Sequence, residues 1–131
     1  MYLSHLVAVA VVLTVNSVLS LTHDEIRVAC EKENNFDGDI RKLDYNDPAY
    51  PKAAKCVLAC SLEKQDVLKS DGSIDIEKEK ELIEKLVKED ELKKKLLKAI
   101  EECDFTAKAD KCETVYEFVK CKNTKAGVHL R

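Results

Sequence analysis

Six cysteines constrain this chain more than any other feature: Cys30, Cys56, Cys60, Cys103, Cys112 and Cys121, spaced C-x25-C-x3-C-x42-C-x8-C-x8-C. Cys56 and Cys60 are four residues apart, which in a helix stacks them one turn above the other on one face. Such a helix must pack against two other segments, because each of its sulfurs needs a different partner. An even number of cysteines in a short chain behind a secretion signal is the mark of a disulfide framework rather than of a metal site. Spacing alone leaves fifteen pairings open.

Such a signal is present at the N-terminus. Met1 to Ser20 contains no Lys, Arg, Asp or Glu, with its apolar run at Leu6–Leu13 and small residues at Ser17 and Ser20. The run is too short and too weakly flanked for a transmembrane helix and reads as a signal peptide over residues 1–20. Val18 and Ser20 suit cleavage after Ser20, and Val15 and Ser17 offer a second position. Residues 21–131 then form one domain that keeps all six cysteines. The expected location is secreted and extracellular.

Gly (three) and Pro (two) are too scarce to supply the turns of a sheet-rich fold, while Lys, Glu and Leu dominate the second half and favour helix. Thr22 followed by Glu25 has the form of a capping box, opening a helix that ends near Asn34-Asn35. A short helical turn is expected around Ile40–Leu43. Asn46-Asp47-Pro48 reads as the start of the next helix, with its body from Lys52 to about Gln65. Ser70-Asp71-Gly72-Ser73 is a turn. Its likeness to a calcium loop fails, because Val67, Lys69 and Lys78 would stand where carboxylates are needed. Asp75 caps a helix to about Val87, a break follows near Lys88–Asp90, and the apolar period resumes through Leu92, Leu96, Leu97, Ile100 and Cys103. Asp110 and Glu113 form a second capping box, and the last helix should fray after Cys121. The interleaved Lys and Glu read as solvated helix faces. With a net charge of only −3 and no clustered cations, nucleic acid is not an expected partner.

With that framework laid out, the chain resembles the six-cysteine odorant-binding proteins of insects, the pheromone-binding and general odorant-binding type. The resemblance covers all of residues 21–131. Cys56-Val57-Leu58-Ala59-Cys60-Ser61-Leu62-Glu63-Lys64 resembles the family's third helix, and Asp71-Gly72-Ser73-Ile74-Asp75 the turn into its fourth. It implies an all-α bundle of about six short helices around an apolar cavity, with disulfides Cys30–Cys60, Cys56–Cys112 and Cys103–Cys121. It also implies a soluble carrier of small apolar molecules such as odorants or pheromones, without cofactor or metal and without membrane insertion. A membrane receptor and a weak homodimer are further partners that the resemblance admits. The candidate lining is Val57, Leu62, Leu68, Leu82, Ile83, Leu86, Leu96, Ile100, Val115, Tyr116, Phe118 and Val119, each of which packing in a solid core would explain equally well. Val128 and Leu130 are added as a C-terminal segment folded over the opening, where His129 is read as an exposed tail residue. With neither Met nor Trp after residue 20, such a wall suits chains and terpenoid-like skeletons better than stacked rings. Tyr45, Tyr50 and Tyr116 are its candidate polar tips.

Two rivals follow. The same fold could serve in saliva, venom or reproductive fluid, binding host amines, lipids or a protein partner. A secreted enzyme is the poorer reading: the two histidines after residue 20 sit at opposite ends, and the cysteines are committed to bridges. No carboxylate pair has the apolar setting that acid–base work needs. A saposin-like membrane-active protein would begin with a C-x2-C pair, which is absent.

Overall fold

The computed structural model describes residues 21–103 and 106–128, so the expected signal peptide, Leu130 and His129 lie outside the described residues. The described residues hold five α-helices and one 3-10 turn, with no named strands: α1 His23–Glu33, the 3-10 turn Ile40–Lys42, α2 Lys52–Lys64, α3 Ile76–Leu86, α4 Asp90–Glu102 and α5 Lys111–Ala126. The bundle is all-α, with one helix fewer than the six expected, because the Ile40 segment closes only a single tight turn.

Local chemistry sets most of the boundaries. Thr22 accepts from the Glu25 amide at 3.2 Å and donates its hydroxyl to the Glu25 carboxylate at 3.1 Å, closing the N-terminus of α1. Asp75 accepts from Lys78 N–H ahead of α3, and Asp110 from Cys112 N–H ahead of α5. Two boundaries differ from expectation. Residues 46–50 form turns rather than a helix start, since Asp44 and Asp47 each accept an amide two residues on, and α2 begins only after Pro51. The last helix does not fray at Cys121. It runs to Ala126 because Lys122, Asn123 and Ala126 are buried, and Gly127 ends it in the left-handed conformation (φ 67°) that a side chain would strain.

The three disulfides are Cys30–Cys60, Cys56–Cys112 and Cys103–Cys121. Helix α2 is thereby tied to α1 and to α5, and the end of α4 to α5. Packing follows the same order: α5 lies mostly on α2 and α4, and α1 on α2. Helix α3 carries no cysteine and packs chiefly on α4. A backbone lock aims it: Val67 N–H bonds to Leu62 C=O at 2.8 Å, Lys69 N–H to Ser73 C=O at 2.8 Å, and Asp75 N–H to Val67 C=O at 2.7 Å. Leu68 and Ile74 pair across this turn, and Gly72 at its tip has φ 87°. Val57, Ile100, Val115 and Phe118, almost wholly buried, form the solid part of the core.

The bridges differ in reach, with sequence separations of 56 for Cys56–Cys112 and 18 for Cys103–Cys121. Replacing Cys56 and Cys112 together by Ser should destabilise the fold by about 4 kcal/mol, and replacing Cys103 and Cys121 by about 1 kcal/mol less, on the loop-closure model. Urea unfolding of the two double variants measures both, and the reverse order would contradict this account.

Candidate functional site

The cavity beside this core has a volume of about 460 Å³ and is partly open to solvent. All five helices and the 3-10 turn reach it. Its apolar wall is Leu58 and Leu62 of α2, Leu82, Ile83 and Leu86 of α3 with the adjoining Val87, Leu96 of α4, Val119 of α5, and Ile40. Its volume falls in the range of small-molecule sites, which join an apolar wall to polar groups that orient a guest. Here the polar groups are His23, Asp24 and Arg27 from α1, Arg41 and Tyr45 from the segment after it, Ser61 of α2 and Gln65 just past its end, and Glu79 and Lys122.

Several of those groups hold one another. Glu31 is buried and uses both carboxylate oxygens. It accepts from Arg27 at 3.0 Å and from the Ile40 amide at 2.9 Å, which pins the 3-10 turn against α1 at one end of the cavity. Arg41 grips Asp39 through paired hydrogen bonds of 2.9 and 2.7 Å, and this contact holds the Asp39 carboxyl far below the usual carboxylate range. Across the cavity Lys122 donates to Glu79 at 2.7 Å, an ion pair with both side chains under a tenth exposed, joining α5 to α3.

A tyrosine cluster stands behind Tyr45. Rings of Tyr45 and Tyr50 stack at 5.8 Å, and those of Tyr50 and Tyr116 tilt at 4.8 Å. Tyr116 donates its hydroxyl to the Tyr45 carbonyl at 2.6 Å, so α5 fixes the main chain of the residue that faces the cavity. The Lys55 ammonium lies 4.5 Å over the Tyr116 ring and pairs with Glu113 at 3.0 Å.

Of the residues expected to line the site, Leu62, Leu82, Ile83, Leu86, Leu96 and Val119 stand on this wall. Val57, Ile100, Val115, Tyr116 and Phe118 are packed among the helices instead. Leu68 lies at a separate polar groove with Lys69, Ser70, Asp71, Lys108 and Lys111. Val128 is half-buried against the core, outside the wall, and Leu130 lies beyond the described residues. Leu58, Ile40 and Val87 also stand on the wall, outside the expected set. The charged members of the wall carried no sequence signal, because Glu79 and Lys122 are 43 residues apart. Cys30, Cys60 and Glu33 come close together, but both sulfurs are spent on their disulfide and offer no metal a thiolate.

A family model, described as the PBP/GOBP family, matches residues 16–125. The chain belongs to the PBP/GOBP family. The match takes in all six cysteines and every residue of the cavity wall, and the three bridges of this PBP/GOBP member are those that the family resemblance implied. Searches of the curated proteins and of the solved structures find no match. Among the described residues no helix is long and apolar enough to cross a membrane.

Burial pushes the Tyr45 hydroxyl up to about 12, and burial first, then the neighbouring rings Tyr45 and Tyr116, pushes Tyr50 higher still. A free tyrosine ionises near ~10. Between that pH and the raised value the folded protein keeps protons that the unfolded chain has lost, so stability should fall as pH rises above ~10. An absorbance-monitored alkaline titration, with urea midpoints at several pH values, checks both statements. Ionisation of these two residues near ~10 in the folded state would show that the cluster is not sealed from water.

Proposed function

We propose that this PBP/GOBP member is a secreted carrier that takes up one small hydrophobic molecule, of the odorant or pheromone kind, in the cavity between α3 and the disulfide-tied helices. The observation that carries this reading is the partly open aliphatic hollow of about 460 Å³, in a chain whose family is known for binding such molecules. Uptake is driven by removing apolar ligand surface from water, at roughly 25 cal/mol per Å². The cost is a hollow fold, since wall residues forgo the packing contacts that a filled interior would give them. Three disulfides offset that cost through the unfolded state, without filling the space.

Secretion rests on the apolar segment before Ser20 and on the six cysteines, which pair fully and so suit an oxidising compartment. The same full pairing leaves no thiolate nucleophile, which supports binding rather than catalysis. Delivery to a membrane receptor and pairing into a weak homodimer rest on the resemblance alone.

Displacement of a fluorescent apolar probe tests the reading directly. Uptake of the probe and its release by unlabelled aliphatic compounds is the expected result, and failure to take up any apolar compound would count decisively against a carrier. Leu82 is half-buried on the wall. Leu82→Trp should fill part of the hollow and weaken binding at least about tenfold, while circular dichroism stays unchanged.

A further inference from the structure

We infer that the Glu79–Lys122 ion pair is the polar recognition element of the cavity and selects aliphatic ligands that carry a hydroxyl group. The inference rests on the carrier reading above and adds the chemical class of the guest.

Among the described residues this is the most deeply buried ion pair, with side chains 9 % and 8 % exposed. Stability is a poor reason for it: a buried pair seldom outperforms apolar residues of similar size, because both charges give up their hydration. Leucines at these positions would tie α3 to α5 as well. What the pair adds to a wall of Leu82, Ile83, Leu96 and Val119 is a donor and an acceptor side by side.

The valence count is specific. An ammonium has three N–H donors and a carboxylate about four acceptor sites. The pair spends one of each on its 2.7 Å bond, and the Phe118 ring lies 5.5 Å from Nζ on a further side of the ammonium. A ligand hydroxyl donates to the Glu79 carboxylate and accepts from the Lys122 ammonium at once. An ether or ester only accepts, and sets a lone pair against Glu79. An ammonium ligand gains Glu79 only by meeting Lys122 with like charge, and a carboxylate ligand gains Lys122 only by meeting Glu79 with like charge. A hydrocarbon covers both charges and satisfies neither. Of the other cationic side chains on the cavity, Arg27 pairs with Glu31 and Arg41 with Asp39, neither of which sets a donor and an acceptor side by side on the Leu82, Ile83 and Val119 wall as Lys122 and Glu79 do.

The test is probe displacement by three compounds of matched length: a medium-chain primary alkanol, its methyl ether and the n-alkane. Wild-type protein should bind the alkanol about tenfold or more tightly than the other two, as expected for hydrogen bonds to charged groups. The double variant Glu79→Leu with Lys122→Leu removes both charges together, so neither is stranded, and should bind all three compounds alike. Equal affinities in the wild type, or an alkanol preference that survives in the double variant, would overturn the inference. Should that variant not fold, Glu79→Met with Lys122→Met, closer in shape to the original side chains, takes its place with the same expected loss of alkanol preference. Probe uptake without alkanol preference sinks this inference and spares the carrier; no uptake at all sinks both.

Discussion

The architecture depends on one covalent constraint, the two cysteines one turn apart on α2. Cys60 reaches back to α1 and Cys56 forward to α5, so a single helical face holds the first and last helices of the bundle. Cys103–Cys121 then brings the end of α4 to α5. Four helices are thus positioned by bonds that need no filled interior. A chain of this size has little apolar surface to spare, and this is how it can hold a solid core around Val57, Ile100, Val115 and Phe118 while leaving a hollow beside it.

Which features could be read from the sequence follows from how local their causes are. Thr22, Asp75 and Asp110 act on amides two or three residues away, so the starts of α1, α3 and α5 were legible. The interruption between α3 and α4 was legible for a similar reason, as Asp90 and Glu91 stand where the apolar period needs leucines. The end of α5 was not, because burial of Lys122 and Asn123 comes from tertiary packing and contradicts their polarity. Gly127 was the one local hint. Around the cavity the limit is of another kind. Periodicity shows that Leu96 and Ile100 face inward, but not that one meets a hollow and the other a packed neighbour.

Electrostatics add what hydropathy misses. The cavity wall is aliphatic in area and yet bounded by ionic groups that restrain one another: Glu31 joins Arg27 to the Ile40 amide, Asp39 holds Arg41, and Lys122 holds Glu79. The first two contacts fix the 3-10 turn at one end of the cavity. The third spans from α5 to the helix that the disulfides omit. Tyr116, through the Tyr45 carbonyl, holds the one tyrosine that lines the cavity among the described residues.

Because α3 is that omitted helix, it is the one helix among the described residues that no disulfide holds in place. Four of the helices around the hollow are fixed covalently, whereas α3 is held by a short backbone lock, packing on α4 and, among the described residues, one ion pair to another helix. A guest too long for the resting volume meets its least resistance there, so a shift of α3 admits it without straining a disulfide. Substitutions along α3 can likewise reshape the chamber while the stapled frame stays as it is, which makes this segment the place where relatives with the same bridges can diverge in what they hold.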